Sequence, residues 1–87
     1  MSTVKPEDFP ADFHIKVMGR QESDLRAATR EIIERHAGPL AEDKIRVRTS
    51  GDGNFLAITY TIVANGRDQI DAIYRDLTAC EVVLMAL

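Results

Sequence analysis

Apolar and polar residues alternate with a period of two through most of residues 44–64, KIRVRTSGDGNFLAITYTIVA. This is the pattern of strands with one buried and one wet face. In the second half Leu56, Ile58, Tyr60 and Ile62 fall on one side, with Phe55, Ala57, Thr59, Thr61 and Val63 on the other. In the first half Ile45 and Val47 oppose Lys44, Arg46 and Arg48. Between them Ser50, Gly51, Asp52, Gly53 and Asn54 supply turn chemistry, because glycine, Asn and Asp tolerate positive φ. The stretch predicts an antiparallel hairpin with an aliphatic face and a face of Arg, Lys, Thr and one Phe.

The same alternation occupies residues 12–18, with Phe13, Ile15 and Val17 inward and His14, Lys16 and Met18 outward, and Gly19 ends it. Residues 23–37 switch to helical spacing: Leu25, Ala28, Thr29, Ile32, Ile33 and His36 form one stripe. Ser23 stands as the N-cap, with Asp24 in the first turn. Glu22–Arg26 and Glu31–Arg35 lie four apart on the wet side, and Gly38-Pro39 stops the helix. A second helix opens at Asn65-Gly66 with Asn65 as N-cap. It buries Ile70, Ile73, Tyr74 and Leu77 and turns Arg67, Asp68, Asp71, Arg75 and Asp76 to water. Residues 81–87, EVVLMAL, read as a closing strand that is apolar on both faces, so the pattern sets no register for it.

Strand, helix, strand, strand, helix, strand is the split β-α-β order of a ferredoxin-like α+β sandwich. Right-handed crossovers place both helices on one face of a four-stranded antiparallel sheet in the order 4-1-3-2. Residues 1–8 read as a flexible tail and residues 9–87 as one domain.

Composition narrows the class. Eighty-seven residues suffice for one modest core. With 45% hydrophobic and 29% charged residues, the chain has the make-up of an ordinary soluble globule. No apolar run approaches the roughly 20 residues of a membrane span. The first residues, MSTVKPEDFP, lack the apolar core of a secretory signal. The single Cys80 forms no internal disulfide, which suits a reducing cytoplasm. A net charge of −3 argues against general attraction to phosphate, so nucleic acid is not the expected partner.

The segment DFPADFHIKVMG, the SGDGNF turn and the terminal EVVLMAL resemble the YbeD-like family of small bacterial proteins, over nearly the whole chain. The most specific parts are Phe9-Pro10, the run Lys16-Val17-Met18-Gly19, and Val83, Met85 and Leu87. The resemblance implies a fold similar to ACT-type regulatory domains, and it carries over no catalytic or binding residue.

In this topology the loop after the first strand commonly decides function. A metallochaperone needs paired thiolates there, and the loop has none. An acylphosphatase resembles GxVQGVxFR, of which only Gly19 and Arg20 are present. His14 and His36 lack the neighbours of a metal set, and Cys80 reads as a small packed residue. His36, in the last helical turn, is placed to meet the helix C-terminus. No enzyme, metal or cofactor is therefore expected.

Parity instead gathers Lys16, Lys44, Arg46, Arg48 and His14 on the open face with Met18, Phe55, Thr59 and Thr61. RNA-recognition modules stack bases on two or three sheet aromatics, whereas here only Phe55 is well placed and GNFLAITY fits their motif poorly. On the second strand, Lys and Arg also guard an edge against aggregation. The leading expectation is a regulatory or adaptor domain that binds a protein partner through Lys16, Arg46, Arg48, Phe55 and Thr59, on the open face or along an edge strand. Self-association as a homodimer is its natural variant. The alternative is an ACT-like sensor of amino acids or carboxylates, with Gly19 allowing close approach and Arg20 meeting the carboxylate.

Overall fold

Strand β1 (Ala11–Arg20) and strand β3 (Phe55–Ala64) run antiparallel, from the pair Ala11–Ala64 to the pair Arg20–Phe55. They form the middle of the sheet in a computed structural model that describes residues 9–21 and 23–87. The expected tail at 1–8 and the Glu22–Arg26 pair lie outside the described residues. Strand β2 (Ile45–Ser50) pairs along the outer side of β3, and the short β4 (Met85–Ala86) along the outer side of β1. The resulting order, β2-β3-β1-β4, is the predicted 4-1-3-2 read from the other border.

Helices α1 (Leu25–Ala37) and α2 (Arg67–Ala79) pack against each other and on the sheet. The core joins Ile15, Val17, Ile58, Tyr60 and Ile62 of the sheet to Leu25, Ile32 and Ile33 of α1 and Ile73 and Leu77 of α2. Each such aliphatic side chain contributes about 1.5–3 kcal/mol on burial. An exposed pair such as Arg35–Glu31, at 3.4 Å, adds only about 0.3–0.5 kcal/mol. Burial therefore holds the helices to the sheet. At its outer end Phe13 meets Tyr74 edge-to-face, with ring centroids 6.5 Å apart.

Several local expectations change. Gly19 does not end β1 but pairs with Leu56 inside it. A Cβ there would stand 2.5 Å from the Val82 carbonyl oxygen and 2.8 Å from Leu25 Cδ1, so the site admits only glycine without a shift of backbone. Helix α1 begins at Leu25 behind Asp24, and neither residue caps it through a side chain. The Ser23 hydroxyl instead donates to the Arg20 carbonyl, closing the turn out of β1. Asn65 is not the cap of α2. Its N–H donates to Gln69 Oε1, and Gln69 Nε2 donates to the His36 carbonyl at the end of α1. Gly38 does provide the left-handed stop, with φ 82° and its N–H bonded to the Glu34 carbonyl.

The closing strand is shorter than its apolar run suggests. Residues 81–84 are not strand, because Val82 and Val83 turn onto the core. Pairing resumes where Leu84 N–H reaches the Met18 carbonyl and Leu87 exchanges two backbone bonds with Lys16. Val17–Ala86 and Met18–Met85 fix the register, so Ala86 turns to the helices and Met85 to the open face. Val47, expected inward, is 40% exposed. The helices lie over β1 and β3, which leaves the border strand β2 thinly covered. No helix among the described residues is long and apolar enough to cross a membrane.

Candidate functional site

Side chains alternate across a strand, so the face turned away from the helices can be read row by row from the register. One row runs Arg48, Ala57, Met18, Met85. The next runs Arg46, Thr59, Lys16, Leu87. Beyond it Thr61 faces His14, whose Nδ1 lies 3.0 Å from the threonine hydroxyl. With strands about 4.8 Å apart, Lys16, Arg46, Arg48, Ala57 and Thr59 surround one shallow depression of about 230 Å³.

Four of the five residues expected to bind a partner, Lys16, Arg46, Arg48 and Thr59, thus come together. Phe55 does not line the depression. It sits a row farther along, opposite Arg20, and is 38% exposed. Ala57 is the residue missed from sequence. It lies between Arg48 and Met18 and is buried although it belongs to the open face. Its small side chain leaves the hollow that its larger neighbours enclose. Parity alone assigns a face but says nothing of such differences in height.

The ion pairs lie on the helical side. On the helical side Arg26 and Arg30 pair with Glu42, Arg30 also with Glu34, Arg35 with Glu31 and Asp76, and Arg67 with Asp71. Among the described residues Lys16, Arg46 and Arg48 have no carboxylate within 4.0 Å. A chain of net charge −3 therefore presents, on its open face, three cations without an ion-pair partner among the described residues.

The residues of the alternative site are not brought together. Gly19 is buried on the helical face against Val82 and Leu25, while Arg20 is exposed on the opposite face. His36 stands in the last turn of α1, as its spacing predicts, and has a second partner. Its Nε2 donates to Asp76 Oδ2 at 2.6 Å and ties α1 to α2. Asp76, expected in water, is half-buried by this contact. The hydrogen bond from His36, with the charges of His36, Arg35 and Arg75, holds the Asp76 carboxyl below its ordinary pKa. Asp76, Glu31, Arg35 and Cys80 border a second hollow of about 330 Å³ between the helices. Its carboxylates already have cationic partners. Cys80 is half-buried and packs against the core.

An open-faced sandwich of two helices on a four-stranded antiparallel sheet in this order is an α+β fold of the ferredoxin-like class. The chain belongs to the DUF493 family, described as a protein of unknown function, whose profile matches residues 6–87. This is the YbeD-like group that its motifs resemble. It is similar to the UPF0250 protein of Chromobacterium violaceum, 38% identical over the full length of both chains. It is also similar to the UPF0250 proteins of Paraburkholderia phymatum and Leptothrix cholodnii. Each is 39% identical over 92% of this chain, which covers 90% and 88% of those relatives.

Proposed function

We propose that this protein is a non-catalytic regulatory or adaptor domain of the cytoplasm that binds a protein partner on the uncovered face of its sheet. The supporting observation is the contrast in charge. Arg26, Arg30, Arg35 and Arg67 on the helices have carboxylates beside them, whereas Lys16, Arg46 and Arg48 ring a depression without one within 4.0 Å among the described residues. Exposed Met85 and Leu87 at the far end of the same rows add apolar contact area. A polar rim beside an apolar patch is the ordinary composition of a transient protein interface.

The reading is tested by affinity capture from native lysate with the full chain and its Arg46→Glu/Arg48→Glu variant. Charge reversal is expected to remove a specific partner while the circular dichroism spectrum stays unchanged. Equal capture by both proteins would overturn the reading. The small-ligand alternative finds no comparable support, since Gly19 and Arg20 face opposite ways.

A further inference from the structure

The border of β2 combines three properties found nowhere else on the described sheet. The first is an open row of backbone groups. Lys16 exchanges both of its bonds with Leu87, so the groups of Ile15 and Val17 turn the other way, toward β3. Bonded and non-bonded pairs alternate across an antiparallel sheet. Carried through Tyr60 and Thr59, this alternation makes Arg46 and Arg48 the residues that bond β3. The N–H and C=O groups of Val47 and Thr49 then point outward. The Ile45 N–H agrees, for it bonds the Glu42 carbonyl rather than β3.

The second property is an uncovered apolar side chain, Val47, on the helical side of that border. The third is the pair Arg46 and Arg48 on the open side, with no carboxylate partner among the described residues. Backbone, apolar and cationic features therefore repeat with the period of a strand.

We infer that β2 accepts an extended segment of a partner protein as a fifth strand, one whose side chains alternate between acidic and apolar. Its acidic residues lie over Arg46 and Arg48, its apolar residues beside Val47, and its main chain bonds Val47 and Thr49. Main-chain bonds supply affinity in such strand addition, and alternate side chains supply specificity. A second copy of this chain fits poorly. Antiparallel pairing of two β2 strands about Val47 or Arg48 sets arginine opposite arginine, and like charges directly opposite destabilise a strand pair. This inference rests on the proposed partner-binding reading and specifies its occupant.

The test uses the ¹⁵N-labelled full chain and the capped heptapeptide Ser-Glu-Val-Glu-Val-Glu-Ser as probe. Amide shifts are expected over residues 45–50, with hydrogen exchange slowed at Val47 and Thr49. N-methylation of the peptide amides that face β2 is expected to weaken binding about tenfold or more, as several net hydrogen bonds are lost. N-methylation of the amides that face away is expected to leave it unchanged. Replacing Glu by Lys in the peptide is expected to abolish binding.

Val47→Pro removes one outward N–H and leaves the bonds to β3, so it is expected to act like the inward N-methylation. The peptide variants keep the test decisive should that substitution disturb the strand. Equal binding of both N-methylated peptides, with shifts centred on Lys16, Ala57 and Thr59, would overturn strand addition and leave face docking standing. No binding of the Glu peptide at millimolar concentration overturns strand addition. If Arg46→Glu/Arg48→Glu also leaves lysate capture unaltered, face docking falls with it. Preferential binding of a uridine oligomer, or a dimer in sedimentation whose contact maps to β2, likewise overturns the inference.

Discussion

The hydroxyls of Thr29 and Tyr60 lie 2.6 Å apart, buried where α1 meets the sheet. Thr29 Oγ1 donates its one proton to the Leu25 carbonyl at 2.6 Å, so Tyr60 is the donor between the two hydroxyls. Removing either partner is therefore unequal in cost. Tyr60→Phe leaves Thr29 bonded to Leu25 and is expected to cost about 1 kcal/mol. Thr29→Val leaves the Tyr60 hydroxyl only a 3.4 Å contact to the Arg26 carbonyl and is expected to cost about 1–3 kcal/mol. The double variant should be less destabilised than the sum, and urea unfolding of all three checks the order.

The same hydroxyl sets a limit at high pH. Burial pushes the Tyr60 pKa up. A phenol whose folded pKa is raised contributes stability that is full below its unfolded value, about 10, and lost as pH rises beyond it. Unfolding midpoints should fall above pH 10 in the native chain and fall less in Tyr60→Phe.

Gly19→Ala places a methyl group where the Val82 carbonyl oxygen already stands. Overpacking against backbone typically costs about 1–3 kcal/mol. The strain falls on the segment that carries β4, so exchange of the Leu84 and Leu87 amides, bonded to Met18 and Lys16, is expected to accelerate before that of β3. Unchanged exchange at those two amides would contradict this account of the glycine.

Acid should weaken the helical layer. Glu34 accepts the Leu40 N–H at 2.8 Å and a bond from Arg30, and the Leu40 bond is the larger cause of its lowered pKa. Asp76 is lowered by His36. A carboxyl with a depressed folded pKa stabilises above its unfolded value and loses that contribution as pH falls through the folded one. Stability should therefore decline once pH drops below about 4. Urea midpoints at neutral pH and on the acid side check this, and the decline should be shallower in Glu34→Gln.

Arg46→Glu/Arg48→Glu should leave stability within about 0.5 kcal/mol, because both side chains are exposed and lack ion-pair partners among the described residues. Thermal unfolding provides the check. A large loss would mean that these arginines serve the fold rather than a partner.

What could be read from sequence follows the range of the forces involved. The alternations at residues 12–18, 44–48 and 55–63 and the helical stripe from Leu25 to Ile33 are local, and parity within the strands is enough to bring Lys16, Arg46, Arg48 and Thr59 onto one face. Gly19 reads as a strand end because a glycine inside a strand and a glycine at its end look alike until the Val82 carbonyl arrives. The bond from His36 to Asp76 is out of reach for the same reason, since Asp76 belongs to the other helix. The apolar run at 81–87 has no alternation to separate strand from turn. Only contact with Met18 and Lys16 on one side and the core on the other divides it.

The two central strands, which share the longest ladder, are far apart along the chain: Phe13 sits beside Ile62 and Ile15 beside Tyr60. A freshly made or unfolded polypeptide must therefore close a long loop, across α1 and the hairpin, before the middle of the molecule exists. Entropy of closure, rather than helix growth, sets the pace of such a step. Refolding in milliseconds or slower, with the β2–β3 hairpin able to form early and β1 joining late, is the kinetic signature this topology imposes.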